Sequence, residues 1–420
     1  MLSIDLIRRD PDFVRAAMAR RHEDTPIDEI LSLDEHRRLL LVESEQLRAQ
    51  RNEVSKRIGR MDPKPPELLD EMRQVGDRIK ALDTEGHAIQ ENLNSLLQRI
   101  PNIPRDSVPD GADESGNIVV RQEGEPPTFD FEPQPHWDLG PALGIIDFEQ
   151  GQKISGSRFY VLKGKGAKLQ RALIQWMLDV HVGEHGCDEV YLPYMVREQV
   201  VYGSGQLPKF ADNIYHDAEE DYWLVPTAEV PITGLYSGDI LQADQLPMRM
   251  VAYTACFRRE KMSAGRDIRG MKRGHQFDKV ELYKIVESRQ ANDELERLVN
   301  EAEAIAKGLE IPYRIIQLCT GDLGFAAVES YDIEMWAPGC DEWLEVSSCS
   351  NCADFQGRRA NIRFRPEGGG KPEFVHTLNG SGLALPRVMI AVIENYQQAD
   401  GSIVIPEVLR PYTGFDRIGG

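Results

Sequence analysis

Cysteine is scarce, with six in 420 residues. That density excludes a disulfide framework and fits reduced thiols in a cytosol. Aromatic residues are few as well, at 7%. Long apolar runs are missing. The most apolar stretch near the C-terminus, from Leu383 to Ile393, is about half as long as a membrane span requires and contains Arg387. Positive charge is in deficit: 49 Lys and Arg against 69 Asp and Glu leave a net charge of −20. A surface that is basic all over is thereby excluded, so any nucleic-acid contact has to be a local patch. The opening MLSIDLIRRDPDF places Asp5, Arg8, Arg9 and Asp10 where a secretory leader needs an unbroken apolar run. Cytoplasm is the expected location, with no membrane partner.

Several site signatures are also missing. There is no GxxxxGK[ST] phosphate loop, because GGGKP at 368–372 has proline where the hydroxyl belongs. GKGAKL at 164–169 has two glycines of a dinucleotide fingerprint but lysine in place of the third. Cys349 and Cys352 form a lone CxxC without a second pair, and His181 and His185, at i,i+4 spacing with Cys187 following, have no clear third ligand. No zinc is expected, and these thiols read as structural.

The clearest positive signal is a heptad pattern. Leu33, Leu40, Leu47, Val54 and Met61 recur every seven residues, as do Leu68, Val75, Leu82, Ile89 and Leu96. Met72, Ile79, Leu93 and Ile100 fill the alternate positions of the second run. Asp62-Pro63-Lys64-Pro65-Pro66 separates the runs, and proline forbids one continuous helix. Two helices folded back as an antiparallel hairpin are therefore expected over about 28–100. The first has Arg37, Ser44 and Arg51 at its alternate positions, so its seam is only weakly apolar. A solvated spacer or a dimerisation hairpin fits that pattern. Charge position favours a different use. Arg48, Arg51, Lys56, Arg57 and Arg60 cluster near the outer end against the single acid Glu53, an arrangement suited to a phosphate backbone.

At about 150 residues per domain, this length suggests two or three domains. Composition places the divisions: an N-terminal domain over 1–105, a Pro-, Gly- and acid-rich linker over 106–135 with one short strand at VVRQ, and a main domain over 136–420. The main domain mixes helical stretches (166–185 and 291–309) with β-branched and aromatic runs such as RMVAYTACF and KVELYKIV, so it is α+β. Its densest charge lies between Arg258 and Arg273, where Arg258, Arg259, Lys261, Arg266, Arg269, Lys272 and Arg273 face only Glu260 and Asp267. Guanidinium forks concentrated on an otherwise acidic chain point to polyphosphate. Glu281 and Glu345 flank this segment as candidates for a metal ion or a substrate ammonium, and Arg387 enters an apolar helix after a glycine-rich turn.

Read in order, the strings SGSRFYVLKGKGAKLQRALIQWMLD, GSGQLPKF, PTAE, FRRE with SAGRDIRGMKRGHQFDKVE, EVSSCSNCADFQGRRANIR and NGSGLALPR resemble the bacterial seryl-tRNA synthetases, a family of class II aminoacyl-tRNA synthetases. The likeness extends over essentially the whole chain. It implies an antiparallel sheet flanked by helices, with homodimerisation through a first motif ending in Tyr191-Leu192-Pro193. It also implies ATP and Mg2+, L-serine, and tRNA(Ser) as substrates and partners, with tRNA(Sec) added where it exists. In that family pattern Arg258 grips the α-phosphate and the serine carboxylate, Glu260 reaches the adenine amino group and Phe277 stacks on the base. Arg387 meets the γ-phosphate. Arg259 and the string Glu345-Val346-Ser347-Ser348 complete the ATP site, with Glu345 and Ser348 on magnesium. Thr227, Ala228 and Glu229 form the serine pocket with Glu281, Asn379 and Ser381. The hairpin corresponds to the tRNA-binding arm.

Two departures stand out. FRRE has Arg259 where relatives more often have a small residue, and Leu385-Pro386 precede Arg387 where many have glycine. Proline suits a first helical turn. A ligase acting on a carrier protein would lack the hairpin, and a non-catalytic paralogue would have lost some of Arg258, Glu260, Glu281, Glu345 and Arg387, all of which are present.

Overall fold

Proline at the outer end of the heptads divides two helices of equal length. Helix α1 runs over Ile27–Ile58 and α2 over Pro66–Leu97, each of 32 residues, or about 48 Å at 1.5 Å per residue. Pro66 sits in the first turn of α2, where the missing N–H costs nothing. The computed structural model describes residues 1–63, 65–261 and 269–420. Arg266 and Asp267 of the charged segment, and Lys64 of the turn, lie outside the described residues.

The chain divides into two compact units, one of residues 2–19 with 23–101, the other of Met1, 20–22 and 102–420. In the first, α1 and α2 pack antiparallel through Leu40, Ile58, Ile79, Leu82 and Leu93, all buried. Each fully buried leucine contributes about 2 kcal/mol. Two of the weak seam positions of α1, Arg37 and Ser44, are polar crosslinks. Ser44 Oγ and Arg48 Nη2 both donate to Asp83, at 3.1 Å and 2.7 Å. Arg37 Nη1 donates to Gln90 Oε1 at 3.2 Å, and Arg78 pairs with Glu43 at 2.7 Å. These pairs set register rather than depth of burial.

The second unit is built on an eight-stranded sheet. Its strands are β1 (Ile118–Glu123), β2 (Asp188–Glu189), β3 (Met248–Phe257), β4 (Gln276–Val286), β5 (Tyr313–Gln317), β6 (Glu329–Ala337), β7 (Glu342–Ala353) and β8 (His376–Ala384). The order is β1-β5-β6-β7-β8-β4-β3-β2, antiparallel throughout except for β2 beside β3. Residues 106–135, expected as a linker, supply the edge strand β1 around VVRQ.

One strand is very short and another stands where a turn was expected. β2 has only two residues, because the chain leaves the sheet before Tyr191 and Pro193 has no N–H to pair. NGSG, expected as a turn, is strand β8. Its glycines serve close approach: a Cβ at Gly380 would meet Cys349 Sγ at 2.9 Å, and one at Gly382 would meet His181 Nε2 at 2.5 Å.

Five helices of this unit matter for the site: α3 (His136–Ala142), α4 (Gly164–Gly183), α5 (Glu229–Leu235), α6 (Ala291–Gly308) and α7 (Leu385–Asn395). Helix α7 packs on β4, β6 and β7 and is buried nearly all round except at Arg387, which is why its sequence is continuously apolar there. No helix among the described residues is long and apolar enough to cross a membrane.

Candidate active site

Strand alternation builds the floor of one cavity of about 280 Å³. Phe277, Lys279 and Glu281 occupy every second position of β4 and all line it. On β7 a bulge opposite Ile333 and Glu334 shifts the phase, so that Glu345 and Ser348, three residues apart, both reach the cavity. Asn379 and Ser381 come from β8, Pro386 and Arg387 from the first turn of α7, and Thr227 and Glu229 from the start of α5. Arg258 and Glu260 after β3, and residues 271–274 before β4, close it.

The lining carries five cations (Arg258, Lys272, Arg273, Lys279, Arg387) and four carboxylates (Glu229, Glu260, Glu281, Glu345), in a chain of net charge −20. These charges are sorted. At one end Glu229 Oε1 accepts from Gln356 Nε2 and from Asn379 Nδ2, the latter at 3.2 Å. Burial first, and the Glu281 charge second, push its carboxyl up to about 7. Glu281 pairs with Lys279.

Toward the other end, between the two, the Arg258 guanidinium lies 5.1 Å from the Phe277 ring centroid and its Nε donates to the Pro226 carbonyl at 3.2 Å. Arg387 Nη1 donates to the Glu345 carbonyl at 2.7 Å and lies 3.1 Å from Glu345 Oε2. Desolvation in the recess raises Glu345, but the charges of Arg387 and Arg258 outweigh it and hold the carboxyl below its ordinary value. Arg273 is 3.7 Å from Glu260, whose φ of 50° is left-handed, a strained conformation for a residue other than glycine.

Three expected site residues do not line the cavity. Ala228 is wholly buried in the apolar cluster beneath it. Arg259 turns away, stacking 4.8 Å from the Tyr215 ring centroid and donating Nε to the Ile214 carbonyl. Ser347 falls on the wrong side of the bulge, and its Oγ donates to the Ser381 carbonyl at 2.6 Å. The hairpin residues Arg48, Arg51, Lys56, Arg57 and Arg60 are exposed within their own unit.

Other residues come into view only in three dimensions. Lys279 is one, although its place two before Glu281 in a strand carried the signal. Asp332 is another. It stands opposite Ser348 in the ladder with Oδ1 buried and without a hydrogen bond, and burial pushes its carboxyl well above the ordinary value. His181 donates or accepts within a closed set: Nε2 lies 2.9 Å from the Gly382 carbonyl and Nδ1 lies 2.9 Å from His185 Nδ1. Burial lowers it to about 4, so it is a neutral packing residue. A second cavity of about 340 Å³ adjoins the first and shares Thr227, Glu229, Arg258, Ser348 and Asn379 with it.

Two family regions, curated relatives and solved structures resemble this chain. The family described as "tRNA synthetase class II core domain (G, H, P, S and T)" matches residues 210–396, and "Seryl-tRNA synthetase N-terminal domain" matches residues 1–104. The chain is 62% identical over 417 residues to the serine–tRNA ligase of Roseiflexus sp. (strain RS-1), covering 99% of this chain and 98% of that one. The crystal structure of seryl-tRNA synthetase from Pyrococcus horikoshii complexed with ATP superposes with a TM-score of 0.94 at 40% identity, over 100% of this chain and 99% of the other. The cytoplasmic serine–tRNA ligase of Naegleria fowleri in complex with AMP gives 0.87 at 29% identity, over 100% and 98%. With both family regions matched and the likeness running end to end, the chain belongs to the seryl-tRNA synthetases, a family of class II aminoacyl-tRNA synthetases.

Proposed function

We propose that this chain activates L-serine with ATP to seryl-adenylate and passes the seryl group to tRNA(Ser), and to tRNA(Sec) in cells that make it. The observation that carries this reading is the uneven distribution of charge in one cavity: Glu229 and Glu281 with two hydroxyls and an amide at one end, and at the other an excess of arginine, partly paired with Glu260 and Glu345, beside an aromatic face. Serine is small and polar, so an apolar sieve cannot select it. Glu281 and Ser381 hydrogen-bond its hydroxyl, while Glu229 and Thr227 take its ammonium. Alanine would leave buried polar groups unpaired, and sites of that kind discriminate by roughly 10⁴-fold. Threonine's extra methyl is excluded by the closeness of β4 and β8.

ATP lies at the arginine end, as its presence in the Pyrococcus structure suggests. Phe277 stacks on adenine, Glu260 accepts from its amino group, Arg258 grips the α-phosphate and Arg387 the γ-phosphate. Glu345 and Ser348 would hold Mg2+. The hard oxygen donors brought together by the bulge, with Asp332 Oδ1 lacking a hydrogen bond behind Ser348, suit that ion, which would neutralise phosphate charge. The serine carboxylate attacks the α-phosphorus, pyrophosphate leaves, and the terminal ribose hydroxyl of the tRNA then displaces AMP from the adenylate. No enzyme nucleophile is required. Catalysis is positioning together with neutralisation of developing charge by fixed guanidinium groups.

The basic residues of the hairpin, Arg48, Arg51, Lys56, Arg57 and Arg60, bind the tRNA backbone. A second copy docks through α4 and the segment after β2, where Tyr191 is 88% exposed. The test is charging of total bacterial tRNA with labelled serine, with and without ATP, against threonine and alanine. ATP-dependent transfer of serine alone is expected. Folded protein that transfers no serine overturns the reading.

A further inference from the structure

We propose that His136 and Trp137 form a clasp that pins residues 269–272 against α7 and thereby sets Arg273 for the nucleotide, making both positioning residues. The proposal rests on reading the arginine end of the cavity as the ATP site.

His136 is fully buried. Its Nε2 lies 3.1 Å from the Met271 backbone nitrogen and its Nδ1 lies 2.8 Å from Glu394 Oε1. A backbone N–H only donates, so Nε2 accepts and the ring proton sits on Nδ1, donated to Glu394. Glu394 lies on α7 about two turns after Arg387. The same carboxylate also accepts from the backbone N–H of His136, Gly339 and Cys340, at 2.8, 2.9 and 3.0 Å, and from the Cys340 thiol at 3.2 Å.

His136, Cys340 and Glu394 have ligand atoms within 4.8 Å of one another, close enough for a metal ion. Both ring nitrogens are nevertheless committed and the carboxylate already takes five donors, so hydrogen atoms fill the role of a cation. The outcome is a rigid acceptor, held by α7, that captures one backbone N–H of the arginine segment.

Further contacts hold the same four residues: Lys272 pairs with Glu342, its carbonyl accepts from Arg387 Nε at 3.5 Å, and Trp137 takes two cations. The Arg269 guanidinium and the Lys272 ammonium lie 4.6 Å and 5.3 Å from the Trp137 ring centroid. Gly270 makes the approach feasible: its φ is +70°, and a Cβ there would lie 2.0 Å from His136 Nε2. The next residue after this segment is Arg273, which lines the cavity beside Glu260. Backbone capture at 271 and cation capture at 269 and 272 therefore fix the direction in which Arg273 leaves the chain.

The test is steady-state pyrophosphate exchange by the full-length protein and its Trp137→Ala and Trp137→Phe variants. A purely structural role would lower kcat, both KM-derived affinities and thermal stability together. Positioning predicts a split: about a tenfold rise in KM for ATP in Trp137→Ala, KM for serine changed by less than about twofold, and most of the loss restored by Trp137→Phe, which keeps a π face. An unchanged KM for ATP in Trp137→Ala, with the wild type active, overturns the clasp and leaves the ligase reading standing. An inactive, folded wild type overturns the ligase reading itself. A second measurement does not depend on how the variants fold. The ¹⁵N spectrum of histidine-labelled wild-type protein is expected to give His136 as the Nδ1-protonated tautomer, and an Nε2-protonated ring overturns the proposal.

Discussion

Glu281 and Ser381 stand directly opposite each other in the ladder between β4 and β8, and both line the cavity. A carboxylate and a hydroxyl fixed on paired strands hold their spacing without a loop to order, which is the geometry needed to read a substrate hydroxyl. Lys279, on the same face, is paired with Glu281. Glu281→Ala would strand that ammonium in the interior, so Glu281→Gln is the cleaner probe. A hydrogen bond to a charged group contributes about 1.5–3 kcal/mol. Glu281→Gln should therefore raise KM for serine by one to two orders of magnitude in pyrophosphate exchange while KM for ATP stays within about threefold. Equal effects on both substrates would remove Glu281 from the serine pocket.

Arg258 connects the two ends of the cavity, stacked against Phe277 and bonded to the Pro226 carbonyl. Its side chain is only partly buried, so truncation leaves no large void. Arg258→Ala should cut the exchange rate by about 10²–10³, the usual cost of one fixed charge-stabilising donor, with an unchanged far-UV circular dichroism spectrum. Wild-type exchange by that variant would end its assignment as the catalytic arginine.

How much was readable in advance follows from the range of each interaction. The hairpin was legible because heptads are local and proline marks the break, and its polar seam positions Arg37 and Ser44 turned out to be crosslinks to Gln90 and Asp83. The trio Phe277, Lys279 and Glu281 was implicit in strand alternation. Ser347 was not separable from Ser348, since the bulge that divides them depends on the neighbouring strand. Strand β8 was hidden by glycines that normally mark turns but here admit Cys349 and His181. The pair His136 and Glu394, 258 residues apart, leaves no local trace at all.

The hairpin offers a prediction that separates tRNA from amino-acid chemistry. Arg48, Arg51, Lys56, Arg57 and Arg60 are all exposed, but Arg48 also pairs with Asp83 and so helps to hold the hairpin, which leaves the other four as the cleaner probes. Replacing those four with alanine should change stability by less than about 0.5 kcal/mol per site. Exchange in the absence of tRNA should be unaffected. KM for tRNA should rise at least tenfold, and its dependence on salt should weaken by about one unit of log–log slope for each phosphate that no longer meets a cation. An unaltered salt slope would place the tRNA elsewhere.

Glu229 gives the site a pH dependence whose sign is determined. Its carboxyl is ordinarily near 4.5 and in the fold is pushed up to about 7, first by burial and then by Glu281. The folded state therefore favours the neutral form. The stability this group contributes is complete below about pH 4.5 and is lost as pH rises through about 7. In the proposed pocket serine would reverse the preference, because its ammonium would pair with the ionised carboxylate, so binding should release a proton from Glu229 near neutrality. KM for serine should consequently fall as pH rises from about 6 to 8, and Glu229→Gln should both flatten that dependence and reduce the loss of thermal stability over the same interval. Parallel pH profiles in wild type and Glu229→Gln, by exchange kinetics and by melting temperature, would mean that another group titrates there.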